Sequence, residues 1–270
     1  MTDTDKVFAG SIPDVYDEYL VPLIFEKYAS DLAKRVASTK PKNVLETAAG
    51  SGVVTRVLAP LLSEDARYIV TDLNQPMLDR AANVQGDEHR IEWQAADALA
   101  LPYEDESFDV VCCQFGVMFF PDRIAGYAEA RRVLKPDGRF IFNAWDRIEE
   151  NEFADVVTKS AGEVFEGDPP LFLARTPHGY HDVEEIEANL KAAGFADIVI
   201  ETITEVSSAP TARHPAVAYC EGTPLRNEIE ARDKSRLAEV TEHATKAIAA
   251  RFGDGPVSAK IQGHVATATA

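Results

Sequence analysis

Short apolar runs alternate with segments of helical period through the first half of the chain. The runs are 44–47 (VLET), 67–72 (RYIVTD), 90–97 (RIEWQAAD), 108–115 (FDVVCCQF) and 138–146 (GRFIFNAWD). Most are rich in Val, Ile and Phe, as strands covered on both faces are. Helical patterns lie between them at 53–62, 75–84 and 122–134, the last closed by Pro136 and Gly138. A pair of helices over about 13–38 precedes the first strand, in a region punctuated by Pro22 and Pro41. Strand–helix alternation of this kind predicts a parallel sheet with right-handed crossovers.

The second half reads differently. A helix is predicted over 148–166 and broken at Asp168-Pro169-Pro170, and an amphipathic helix over 182–193 ends at Gly194. Strands are predicted at 195–206 (FADIVIETITEV) and 260–270 (KIQGHVATATA). Between them, 209–257 is polar and helical, with a long helix over about 233–252. If the two strands pair, 209–257 is an insertion between them, placed to serve as a lid.

Composition narrows the function classes. The 27 Lys and Arg face 45 Asp and Glu, a net charge of −18. Such a chain repels a phosphate backbone and an anionic membrane surface, so neither nucleic acid nor membrane is the expected partner. The three cysteines, Cys112, Cys113 and Cys220, have no Cys-x-x-Cys spacing, and two of them sit in an apolar strand. They read as small buried hydrophobes in a reducing compartment, with a reactive thiol as the alternative. The first ten residues, MTDTDKVFAG, carry acids where a secretory signal needs cations. No run reaches the roughly 18 apolar residues of a membrane span. The expectation is a cytoplasmic protein.

The chemistry concentrates where the first strand runs into ETAAGSG (46–52) ahead of a helix. Glycines there let backbone approach a ligand, and the helix N-terminus offers free N–H groups. A tight turn alone would also use Gly50 and Gly52. Asp72 ends the second strand, twenty residues after Gly52, where a carboxylate reaches ribose hydroxyls; an exposed strand-end acid is the bland alternative. Both features suit any adenosine ligand. The dinucleotide pattern G-x-G-x-x-G is broken by Thr55 at its third glycine position, and no phosphate-loop motif is present.

Five elements recur in order over about 42–146: E-x-A-x-G-x-G (46–52), Asp72, Asp97-Ala98, SFDVV (107–111) and RVLKPDG (132–138). In these the sequence resembles the class I S-adenosylmethionine-dependent methyltransferases, in particular the ubiquinone/menaquinone-biosynthesis-like (methyltransferase type 11) branch. The resemblance implies a doubly wound, mostly parallel, seven-stranded Rossmann-like α/β sheet, with an antiparallel last strand and a helical lid inserted before it. It implies N-terminal helices over the cofactor (1–41), a methyltransferase domain (42–208 and 258–270) and the lid (209–257). Glu46, Ala48, Gly50 and Gly52 would line the methionine end of S-adenosylmethionine. Asp72 would hold the ribose, Leu73 and Met77 flank the adenine, and Asp97 and the Ala98 amide read its edge. Gln114 and Phe115 would face the sulfonium, and Tyr16 and Tyr19 the cofactor carboxylate. The family usually has Gly at the place of Ala48.

Methyl transfer from a sulfonium is an in-line displacement that rests on alignment of the reactants. No metal is expected. An acidic acceptor would need a base, and His178, His181 and Asp146 are the candidates, with His214 behind them. PHGYH (177–181) also reads as a solvated loop. Met118, Trp145, Tyr180 and Tyr219 are the candidate acceptor contacts. The expectation is an enzyme, monomeric or homodimeric, methylating a small organic molecule. The alternatives are an NAD(P)-dependent oxidoreductase and a protein that binds S-adenosylmethionine without methyl transfer.

Overall fold

The computed structural model describes residues 12–270; residues 1–11 of the expected N-terminal segment lie outside the described residues. The described chain opens on α1 (Ile12–Val15), a wide π-helical stretch (Tyr16–Phe25) and α2 (Glu26–Ser38). Strands and helices then alternate as β1 (Asn43–Glu46), α3 (Val53–Leu58), β2 (Arg67–Asp72), α4 (Gln75–Gln85), β3 (Ile91–Ala95), β4 (Phe108–Gln114), α5 (Arg123–Val133) and β5 (Leu134–Trp145). There follow α6 (Glu152–Val164), α7 (Phe172–Arg175), α8 (Val183–Ala192), β6 (Ala196–Ala209), α9 (Arg213–Glu221), α10 (Leu225–Asp233), α11 (Leu237–Phe252) and β7 (Val257–Thr269).

The seven expected strands are all present, and two local expectations change. Pro22 does not separate a pair of helices: it lies inside the π-helical stretch. A wider turn accommodates a ring that would clash in a regular α-helix. The fifth strand starts at Leu134 rather than at Gly138. The Lys135–Gly138 segment stays in the strand as an irregularity, marked by a register shift opposite Phe108/Val110 and by Asp137 at φ 66°.

The sheet order is β3-β2-β1-β4-β5-β7-β6. β1 pairs in parallel with β2 and β4, β2 with β3, and β4 with β5. β7 runs antiparallel to both of its neighbours. Toward β5, Asp146 N donates to Gln262 O while Ala270 N donates to Gly138 O. Toward β6, Thr202 meets His264 and Ser208 meets Ser258. The order reverses between β1 and β4, and in open α/β sheets ligands bind at the carboxyl ends of the strands flanking such a switch.

Contacts group the described chain into two compact units. One comprises Glu26–Ala144, His181–Ile203 and Gly263–Ala270. Its core is β1–β4 and most of β5, with α2–α5 and α8. The helical period of α2 places Tyr28, Ala29, Leu32, Ala33 and Val36 on one buried face, which packs on α3 and β4. Burying a side chain such as Leu32 contributes roughly 1.5–3 kcal/mol.

The other unit comprises 12–25, Trp145–Tyr180 and Thr204–Gln262. Its core is α6 and α9 packed against α11, which buries Val240, Ala244 and Ile248 at four-residue spacing. The stretch 209–257 is helical, with α9, α10 and α11 filling most of it. No helix among the described residues is long and apolar enough to cross a membrane.

Candidate active site

The glycine loop leaves β1 and is pinned on both sides by backbone. Thr47 N donates to Cys112 O of β4 at 2.9 Å, and Ala49 N to Thr71 O of β2 at 3.0 Å. Three of its residues take left-handed backbone: Ala48 (φ 51°), Gly50 (φ 57°) and Gly52 (φ 79°). For Gly52 space matters as well, because a Cβ there would stand 2.9 Å from the Ala81 methyl of α4. Gly52 thus permits close packing of α3 on α4, as well as the turn.

Asp72, at the end of β2, is buried and tied to this loop. Its Oδ2 accepts from Gly50 N at 2.8 Å, and its Oδ1 from Asn74 N at 2.8 Å and Asn74 Nδ2 at 3.3 Å. Burial pushes its carboxyl upward in pKa, opposed by the Asn74 and Gly50 amides. A carboxylate has about four lone-pair sites, so these three bonds leave it capacity to accept another. Leu73 beside it is 53 % exposed, although a leucine is ordinarily inside. Met77 is buried, with its Cε 3.7 Å from a Cβ built on Gly50. After β3, the exposed Asp97 takes the Leu99 amide on Oδ1 at 2.9 Å, next to the half-buried Ala98. A glycine-lined loop, a strand-end carboxylate, an uncovered apolar side chain and a second carboxylate fit an adenosine ligand.

Glu46 does something the motif alone does not reveal. It is 1 % exposed, and its Oε2 accepts from Thr55 Oγ1 at 2.7 Å and from the Tyr68 hydroxyl. The carboxyl therefore joins β1, α3 and β2 beneath the loop. Burial raises its pKa to about 7, against the pull of the Tyr68 and Thr55 hydrogen bonds. Thr55, whose presence breaks the dinucleotide pattern, is a partner of this carboxyl. The signal for the triad was an acid, a tyrosine and a threonine at strand and helix positions that otherwise read as apolar.

The end of β4 lies against the same loop. A Cβ on Gly116 would overlap the Ala48 methyl and stand 2.7 Å from Cys113 Sγ. Phe115 before it also has left-handed backbone (φ 50°) and is buried, its ring edge-on to Tyr28 at 5.2 Å. Gln114 and Met118 flank this turn; Met118 is buried. Cys112 and Cys113 are free and buried, and burial raises both thiols, Cys113 to about 12.

The remaining candidates belong to the second unit, except His181. Tyr16 stacks on Phe25 with centroids 5.3 Å apart, and Tyr19 packs on His214 at 4.8 Å. In the π-helical stretch, three-residue spacing no longer stacks two side chains as an α-helix would, and the two rings go to different partners. Trp145 lies 6.0 Å from His178, and Tyr180 and Tyr219 are buried. His178 is buried rather than solvated, and its Nδ1 lies 2.8 Å from Asp146 O. A carbonyl only accepts, so Nδ1 carries the proton and Nε2 is the basic nitrogen of the neutral ring. Asp146 itself takes Gln262 Nε2 on Oδ2 at 2.5 Å and Arg147 N on Oδ1 at 2.7 Å. His181 is half-buried. Among the described residues, no three His, Cys, Asp or Glu are grouped to hold a metal.

A family model described as a methyltransferase domain matches residues 45–142. The demethylmenaquinone methyltransferase of Clavibacter sepedonicus is 27 % identical over 198 residues, covering 68 % of this chain and 80 % of that protein. The ubiquinone/menaquinone biosynthesis C-methyltransferase UbiE of Rickettsia akari is 29 % identical over 171 residues, covering 58 % and 69 %. In fold, the chain is similar to phosphoethanolamine N-methyltransferase 2 of Haemonchus contortus, solved in complex with S-adenosyl-L-methionine. That match has a TM-score of 0.62 and 16 % identity, over 99 % of this chain and 60 % of that one. The chain is a class I S-adenosylmethionine-dependent methyltransferase. The curated relatives it matches are of the ubiquinone/menaquinone-biosynthesis type.

Proposed function

We propose that the cofactor lies along the carboxyl ends of β1, β2 and β4, and that the methyl group passes to a small organic acceptor with an oxygen, nitrogen or carbon nucleophile. The observation that carries this reading is the Asp72 carboxylate, held by Gly50 N at the lip of the glycine loop. Asp72 accepts from the ribose hydroxyls. Leu73 and Met77 cover the adenine, and Asp97 with the Ala98 amide reads its edge. Ala48, Gly50 and Gly52 form the floor under the methionine end, and Gln114, Phe115 and Met118 face the sulfonium. Glu46 acts beneath that floor, through Thr55 and Tyr68, rather than on the cofactor. The role of Tyr16 and Tyr19 rests on the resemblance alone.

Bound S-adenosylmethionine supplies a methyl group already activated on a sulfonium. What the chain must add is alignment and exclusion of water. The left-handed turns at Ala48, Gly50 and Phe115 fix the backbone that does this. Where the acceptor must lose a proton, His178 is the base whose reactive nitrogen is defined; His181 and Asp146 are the alternatives. The place of 209–257 in the chain, between two paired strands, supports a lid that selects the acceptor, as do its Tyr219 and the candidate contacts Trp145 and Tyr180. The surplus of acidic residues supports a small molecule rather than a nucleic acid, in a cytoplasmic monomer or homodimer.

Calorimetric titration tests the reading. S-adenosylmethionine should bind and NAD should not. Transfer of a radiolabelled methyl group should then be found on a panel of phenols, quinols, amines and carboxylates. Binding of NAD in its place would overturn the assignment.

A further inference from the structure

Between β3 and β4 the chain runs through 96–107 without helix or strand. This segment carries Asp97 and Ala98, and Leu101 is its one buried side chain. Apolar packing therefore does little to fix its course, and hydrogen bonds do it instead. At the start, Ala96 N donates to Asp72 O at 3.1 Å. Asp97 then closes a turn on itself: Leu99 N donates to its Oδ1 at 2.9 Å, and Ala100 N to its carbonyl at 3.0 Å. Beyond Ala100 the segment is held from α5.

The Arg132 side chain does the holding. Its Nη1 donates to Tyr103 O at 2.8 Å and to Asp105 Oδ1 at 2.7 Å. Its Nη2 donates to Leu101 O at 3.0 Å and to Glu129 Oε2 at 3.3 Å, and its Nε to Glu129 Oε1. Every N–H of the guanidinium is thereby engaged. Glu129, one turn earlier on α5, anchors the fork, and the fork grips two carbonyls of the segment. Backbone continues the attachment: Glu106 N donates to Arg132 O at 3.0 Å and Ser107 N to Val133 O at 2.8 Å. Ordering so long a side chain opposes folding, and here the ordering is directed at one segment. The turn of Asp97 and Ala98 is clamped between the Asp72 carbonyl at one end and Arg132 at the other.

We propose that Arg132 is a positioning residue for base recognition: its grip on the Leu101 and Tyr103 carbonyls sets the Asp97 carboxylate and the Ala98 amide against the adenine edge. This rests on the methyl-transfer reading above, in which those two groups meet the base. Asp97 is exposed and Ala98 half-buried, so neither is fixed by its own packing. Adenine presents an amino donor beside a ring-nitrogen acceptor. A carboxylate answers the first and a backbone N–H the second. Hypoxanthine presents a carbonyl and a ring N–H at the same places, so both pairings fail. Discrimination between the two bases therefore reads the placement of Asp97 and Ala98, while the ribose and methionine contacts are common to both ligands. Lysine is no substitute at 132, because its donors diverge from one point and cannot span two carbonyls and Glu129.

The test titrates the full chain calorimetrically with S-adenosylhomocysteine and with S-inosylhomocysteine. The wild type should bind the adenosyl compound at least about tenfold more tightly, because a site built to hydrogen-bond a group rejects the analogue lacking it. Arg132→Ala should bring the two affinities together by weakening the adenosyl compound alone, and Arg132→Lys should act in the same direction. Arg90→Ala is the control for stability. Arg90 donates to the carbonyls of Ala59, Leu62 and Ser63 and precedes β3, so its loss should lower the Tm and leave the preference intact. A preference that survives both Arg132 substitutions overturns the proposal. So does its loss in Arg90→Ala, which would make it a mark of any loosened fold. Unfolding of both Arg132 variants would make Arg132 a structural residue and also count against. Equal binding by the wild type, or a preference kept by Asp97→Ala, would strike the adenine reading and the proposal with it. Failure of the wild type to bind S-adenosylhomocysteine at all would strike the methyl-transfer reading and everything resting on it.

Discussion

The methyl of Ala48 fills the space that a Cβ on Gly116 would need, and any Cβ at position 116 would overlap it. Ala48 also holds a left-handed φ of 51°, a conformation that disfavours every residue with a Cβ. The two residues settle the separation between the loop after β1 and the turn after β4.

Gly116→Ala should therefore destabilise the protein by about 1–3 kcal/mol, the range for overpacking a filled site. Ala48→Gly should stabilise it by about 1 kcal/mol by relieving the left-handed alanine. Combined, the second change should recover only some of the loss from the first, since Cys113 Sγ still stands 2.7 Å from the new Cβ. Chemical denaturation of the three variants measures the coupling.

Asp72→Ala should weaken S-adenosylmethionine binding by at least about tenfold, because charge-assisted hydrogen bonds to the ribose are lost. The same change frees Gly50 N and Asn74 N, so the Tm without cofactor should fall too. Calorimetry separates the two effects. An unchanged affinity at a lowered Tm would reduce Asp72 to a loop anchor.

The buried Glu46 carboxyl makes stability pH-dependent. Its pKa rises from 4.5 to about 7 on folding. Between those values the folded state binds more protons than the unfolded chain, so this contribution is fully present below pH 4.5 and is lost as pH rises toward 7. Glu46→Gln should flatten that decline and leave the variant relatively more stable at pH 8, by on the order of 2–3 kcal/mol. Urea midpoints across pH 5–8 test it. A wild-type profile without the decline, matched by the variant, would show that the carboxyl stays ionised in the fold.

Cys112, Cys113 and Cys220 should be silent toward a thiol reagent in the native state. All three are buried and their thiols are raised by that burial, Cys220 and Cys113 to about 12. The thiolate is the reactive form. Modification should appear only with unfolding, at the rate of the unfolding transition. Fast labelling of the folded protein would restore the reactive-thiol alternative.

Much of the fold was legible in the chain because its cause is local. Runs such as RYIVTD and FDVVCCQF are apolar on both faces, and the strands they predict end at or within a residue of Asp72 and Gln114. Pro22 misled because its effect depends on the turn around it, and a π-helical turn absorbs the ring. Leu134–Asp137 misled because a strand irregularity uses the same Pro-Asp-Gly chemistry as a turn. At the site, the carboxylate of Asp72 and the glycines were visible by spacing. The hydrogen-bond partners of Glu46 were not, since a single polar residue in an apolar strand shows no period.

The sequence by itself determined the order of elements, the parallel half of the sheet and the loop–carboxylate pair, because each depends on residue type and spacing over a few positions. Only the tertiary structure decided which polar groups meet. Glu46 turns to Tyr68 and Thr55 and His178 to the carbonyl of Asp146, while the Asn143 amide has no hydrogen-bond partner among the described residues. For Glu46 and Asn143 the outcome depends on register between strands distant in the chain, where a shift of one residue would send the side chain to the opposite face, and for His178 on the course of the turn after α7.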